Sequence, residues 1–229
     1  MSLKENLLNF FGKKIELNQQ PKTWNYDQFK AYLLLLSHKP EATLLYNQYP
    51  RTIQLSKNWH ELFNQTRNES KDKYERYAII GYGPDFQTLY LSSKAAKGTP
   101  RDIPNETAKN ERDKAIGNNI EFVGDIHSHW IIRKNPLQIF SIGDLHHFLV
   151  SVSREKIICL VAPDSNLLAF PSKETDSIPR PIYVPQELFI KIWKKQSLNS
   201  WDATMKIAQR HKLVIYSGKP NKELRRITT

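Results

Sequence analysis

The chain has 229 residues, 39% of them hydrophobic and 25% charged, with a formal net charge of +11 at neutral pH. These are the proportions of a soluble globular protein, and the length favours one domain with extensions over two equal ones. The longest apolar run, Ala31–Ser37, is far too short to span a bilayer, and a single cysteine excludes both an internal disulfide and a cysteine-based metal site.

No basic-then-apolar leader opens the sequence, so a cytoplasmic location without a membrane partner is expected. The basic residues are scattered and mixed with acids, and no RNP-like, zinc-finger or helix-turn-helix pattern accompanies them. The charge is read first as solubility and second as an acidic partner surface, with a nucleic-acid-associated module as an alternative function.

Residues 1–55 read as a helical N-terminal extension. It opens on an apolar patch (Leu7, Leu8, Phe10, Phe11) and contains a strong helix pattern over Tyr26–Ser37, ended by Lys39–Pro40. Asn58–Lys73 reads as a second helix. Within it His60-Glu61 begins like a helical zinc-protease motif, but Asn64 stands where the second histidine is needed, so that reading fails. A strand over Tyr77–Gly83, a turn at Pro84–Asp85 and a returning strand over Thr88–Ser92 follow. Gly81-Tyr82-Gly83 does not open a helix and is no dinucleotide loop. Ser93–Asn119 carries six basic and four acidic side chains with few aliphatic ones, and reads as a long polar loop, either a substrate-side flap or an uninvolved disordered segment.

The next strand is expected over 120–127, with Ile120, Phe122, Gly124 and Ile126 on one face and Glu121, Val123, Asp125, His127 and His129 on the other. His127 and His129 thus present two imidazoles side by side. After the apolar, basic segment Trp130–Phe140 comes Ser-Ile-Gly-Asp, where Ser141 reads as a helix N-cap and Asp144 as the third residue of a capping box. Two histidines from a strand end and one carboxylate from a first helical turn make three ligands with a fourth position open, the ligand count of a catalytic zinc. Further on, Cys159 sits alone in the apolar run IICLVA and reads as core filler. The proline-rich Pro163–Pro185 reads as irregular chain. Helices near Gln186–Lys195 and from a cap at Ser200 to about Arg210, a strand over Leu213–Ser217 and a solvated Lys222–Arg226 close the sequence.

The order Glu75…His127-Ser128-His129…Ser141-x-x-Asp144 resembles the JAMM (MPN-plus) zinc metalloproteases, over roughly residues 56–170. Glu75 supplies the upstream glutamate, followed by Arg76, Tyr77, Ala78, Ile79 and Ile80, with Ala78 in the place of the family's glycine. Two further departures are Trp130 where proline is usual and a longer spacer between His129 and Ser141. The resemblance also implies strands at EKIICLVAP and NLLAF, the two that normally follow the family's metal-binding helix.

The resemblance implies an α/β fold, a twisted mixed β-sheet flanked by helices (cytidine-deaminase-like), with the catalytic domain over 56–185 and C-terminal helices and a strand over 186–229 packed on it. It also implies one Zn²⁺ held by His127, His129 and Asp144, with Glu75 as the proton-transfer residue and Ser141 as a donor to the oxyanion. The expected activity is hydrolysis of an isopeptide or peptide bond after the C-terminal tail of a ubiquitin-like, β-grasp protein. A non-catalytic scaffold of the same fold is the remaining alternative. Some members use a histidine at the place of His146 in a second, structural zinc site, but this sequence lacks the other ligands. His146 is therefore expected near the first zinc or at the surface.

Overall fold

The computed structural model describes residues 22–38, 43–83, 88–100, 102–129, 138–177 and 184–228. Among these are ten strands: β1 (Thr23–Trp24), β2 (Thr52–Ile53), β3 (Arg76–Tyr82), β4 (Leu89–Leu91), β5 (Ala96–Lys97), β6 (Glu121–Ser128), β7 (Ile157–Val161), β8 (Asn166–Pro171), β9 (Leu213–Gly218) and β10 (Leu224–Arg226). They form one mixed sheet in the order β1-β2-β10-β9-β8-β7-β6-β3-β4, with β5 also paired to β3. The pairs β1–β2 and β6–β7 are parallel and the others antiparallel.

Six helices cover the sheet: α1 (Tyr26–His38), α2 (Lys57–Glu69), α3 (Asn105–Gly117), α4 (Ile142–Ser151), α5 (Gln186–Lys195) and α6 (Ser200–His211). Strands β7 and β8 are buried along their whole length, which their near-continuous apolar sequence requires once both faces are covered. On one face Phe29, Leu33, Trp59 and Phe63 of α1 and α2 pack with Ala78, Ile80, Cys159 and Phe170. On the other, Phe148, Leu149, Phe189 and Ile207 of α4–α6 cover Ile158, Leu160, Leu167 and Ile215. The α/β class is therefore observed. No helix among the described residues is long and apolar enough to cross a membrane.

Four expectations are corrected. Residues 22–55 are not purely helical: β1 and β2 extend the sheet, and α1 belongs to the same core as β3 and β7. Lys222–Arg226 is not simply solvated. Its Leu224 is fully buried and pairs with Ile53, and the Arg226 guanidinium lies 4.5 Å from the centre of the Tyr46 ring. The polar segment Ser93–Asn119 is neither structureless nor a plain loop, since it holds β5 and α3. Helix α3 buries only Ala115, so it has no apolar stripe to reveal it, and its Glu, Lys, Arg and Ala content stabilises it by propensity instead.

The fourth correction concerns β6. Ile80 pairs with Gly124 and Gly81 with Phe122, which leaves Val123 as the extra residue of a β-bulge. Val123 consequently joins Ile126 under α1 and α2, while Phe122 turns to the α3 side with Tyr77. The bulge needs a close approach, because a Cβ on Gly81 would stand 2.4 Å from the Glu121 carbonyl oxygen. The apolar patch at 7–11, the turn at Pro84–Asp85 and most of the 130–140 segment lie outside the described residues.

Candidate metal centre

The site is built where β6 ends and α4 begins. His127 pairs with Tyr77 of β3 and Leu160 of β7, so its ring emerges on the α4 side of the sheet. His129 lies one residue beyond the strand and is held there by its N–H, which donates to the Val161 carbonyl at 3.3 Å. Between them Ser128 points the opposite way and is fully buried. Helix α4 opens with the expected capping box: Ser141 Oγ accepts the Asp144 N–H at 3.1 Å, and the Ser141 N–H donates to Asp144 Oδ2 at 2.6 Å. The residue before the cap is pinned as well, since the Thr204 hydroxyl of α6 donates to the Phe140 carbonyl at 2.6 Å.

These elements bring His127, His129 and Asp144 together. One potential ligand atom of each lies within 4.8 Å of the others, the one such group among the described residues. Asp144 Oδ2 is 3.1 Å from His129 Nε2 and 3.6 Å from His127 Nε2. The three side chains are only 12%, 9% and 20% exposed for His127, His129 and Asp144. His127 Nε2 is buried without a hydrogen-bond partner among the described residues. A nitrogen orphaned in this way, beside a second imidazole and a carboxylate, fits a divalent cation as the missing partner.

Electrostatics agree. Burial opposes charge on His127, but Asp144 and Asp125 outweigh it and hold the imidazole pKa well above the ordinary histidine value. Burial also opposes the Asp144 carboxylate, and His129 and His127 override it and hold its pKa well below the usual range.

Glu75, the residue just before β3, enters the same cleft. Helix α2 runs into a short turn at Ser70–Asp72 that closes on Lys73 in the left-handed region (φ 78°), and this redirects the chain. Arg76 then locks the turn through Asp72 at 2.6 Å. The Glu75 N–H donates to the Thr99 carbonyl at 2.9 Å. Ser128 fastens this segment to β6: its Oγ accepts the Arg76 N–H at 2.8 Å and lies 2.5 Å from Ser70 Oγ. Burial pushes the Glu75 carboxyl up to about 7, against the pull of His129 and His127.

Two acids that sequence reading did not single out lie behind the histidines. Asp125, on β6, is 3.6 Å from His127 Nδ1. Glu155, just after α4, meets Arg112 of α3 at 3.4 Å and His147 at 3.6 Å, and accepts the Ser151 hydroxyl. The available signal for Asp125 was its place two residues before His127, on the same side of the strand. His146 is neither at the metal centre nor at the surface. It is buried against Phe189 of α5, with Nε2 2.9 Å from the Val184 carbonyl oxygen.

The His127–His129–Asp144 cluster lines an open cleft of about 1470 Å³, which Pro104, Asn105 and Arg112 of the α3 segment and Ile190, Lys194 and Trp201 of α5 and α6 also line. No protein-family model matches the sequence, and no curated protein matches it.

Proposed function

We propose that this protein is a zinc-dependent hydrolase of the JAMM (MPN-plus) kind that cuts the peptide or isopeptide bond following the C-terminal tail of a ubiquitin-like protein. The observation that carries the proposal is the convergence of His127, His129 and Asp144 with Glu75 in one cleft. Asp144 Oδ2 lies 3.1 and 3.6 Å from the two imidazole nitrogens, and all three candidate ligand atoms lie within 4.8 Å of one another, a spacing that one divalent ion could bridge with small side-chain movements.

Zinc, when bound, supplies Lewis acidity that polarises the scissile carbonyl and acidifies water. His127, His129 and Asp144 would hold it and leave a position facing the cleft. Glu75 takes the proton from the attacking water and delivers it to the departing amine, so that hydroxide adds to the carbonyl carbon as the C–N bond breaks. Burial raises the Glu75 carboxyl, to about 7 before any ion binds, and so favours a group that can both accept and return the proton. Ser141 uses its oxygen to cap α4 and retains its hydroxyl proton for the carbonyl oxygen as charge develops there. The cleft, which residues of α3, α5 and α6 also line, has room for an extended tail.

The test is hydrolysis of a panel of ubiquitin-like proteins carrying peptide or isopeptide extensions, by wild type and Glu75→Gln. The variant is expected to keep its metal and lose about 10²–10⁴-fold in kcat/KM. Equal turnover by the two proteins, or no turnover of any panel member by the zinc-loaded wild type, contradicts the proposal.

A further inference from the structure

We propose that Asp125 is a positioning residue that fixes His127 for the metal by holding its Nδ1. This inference rests on the metal reading of the site. Asp125 is a carboxylate only 4% exposed, on β6, an interior strand of the sheet, and a buried acid is costly unless something pairs with it. Its neighbours are the His127 ring, the buried Tyr77 hydroxyl and the Glu155 carboxylate.

Glu155 is already provided for. Arg112 and His147 face one of its oxygens and the Ser151 hydroxyl donates to the other. Asp125 is thereby left to the His127 ring and the Tyr77 hydroxyl, and of these the ring carries the charge that pairs with it. The ring is bracketed by two carboxylates, with Nδ1 3.6 Å from Asp125 Oδ1 and Nε2 3.6 Å from Asp144 Oδ2. Closing the first gap by about 0.7 Å gives a normal N–H···O bond. That bond would fix the tautomer with Nδ1 protonated and Nε2 free to ligate, the arrangement by which a carboxylate orients a metal-binding histidine. Among the described residues His129 has no such support, because its Nδ1 is buried there without a partner. The two ligands are therefore unequal, and His127 is the preset one.

The experiment measures zinc affinity of the full chain by competition with a chromogenic chelator, for wild type, Asp125→Asn and Asp125→Ala. Asp125→Ala is expected to bind about 10–100-fold more weakly. Asp125→Asn should lose less, because its amide oxygen still accepts from Nδ1. A second reading is NMR of the zinc-loaded protein, where the His127 Nδ1–H is expected to be protected from exchange in wild type and unprotected in Asp125→Ala.

Wild-type affinity in Asp125→Ala overturns the inference and leaves the metal reading intact. An affinity loss matched by a collapse of the metal-free thermal midpoint, with the Nδ1–H still protected, assigns Asp125 a purely structural role and also overturns it. A wild type that binds no zinc removes the metal reading itself, and the inference with it.

Discussion

At the scale of single residues, the centre is organised around protons that a metal must displace. Without an ion, Asp144 and Asp125 keep His127 charged, and burial keeps Glu75 near half protonation at pH 7. A ligating imidazole must be neutral, so metal and proton compete for His127. The sign follows: raising the pH removes the competitor, and apparent zinc affinity should climb as pH rises through 7. Calorimetric titration of zinc near pH 7, in two buffers of different protonation enthalpy, should show release of about one proton or more per ion. Binding with no proton release contradicts this assignment. The site was largely legible at this scale because its spacing is local. His-x-His is fixed by the strand period and Ser-x-x-Asp by the first helical turn, and both arrangements are present. Asp125 and Glu155 were harder to read, because a buried acid and an exposed one look alike in sequence.

At the scale of elements, precision comes from small fastenings between segments distant in the chain. Ser128, between the two histidines, holds the Arg76 N–H at the start of β3 and thereby the neighbouring Glu75. Ser128→Ala leaves that buried N–H without its acceptor, at a cost of about 1–3 kcal/mol. The thermal midpoint should fall by about 2–4 °C per kcal/mol for a chain of this size. Zinc affinity should stay close to wild type, because both histidines remain, while kcat falls as Glu75 loses its setting. A Ser128→Ala protein with unchanged midpoint and kcat contradicts the role given to this contact.

The elements that sequence reading missed share a physical cause. Helix α3 is stabilised by propensity and by pairs such as Lys114–Glu111 at 2.6 Å, without an apolar stripe. The β6 bulge depends on how β3 pairs with it, and a strand's own sequence does not contain its partner. The cap of α6 is Asn199, whose side-chain oxygen accepts the Asp202 N–H at 2.9 Å, and Ser200, the expected cap, is the first helical residue.

At the scale of the whole molecule, a sheet covered on both faces carries a cluster of two histidines and an aspartate that could hold a metal ion at one strand end, in a cleft that residues of α3, α5 and α6 also line. The central strands were legible because two-sided burial makes them continuously apolar. The arms at β1, β2 and β10 were not, because two- and three-residue strands leave no period to read. Cys159 sits in the core, where burial pushes its thiol well above the ordinary value.

The central claim is that this cleft holds a catalytic metal. Its most direct test is the metal content of the purified full chain after incubation with zinc and removal of loose ions, measured beside His129→Ala and Glu75→Gln. The account predicts about one zinc per chain in wild type and in Glu75→Gln, and its loss in His129→Ala. A wild type no richer in metal than His129→Ala contradicts it.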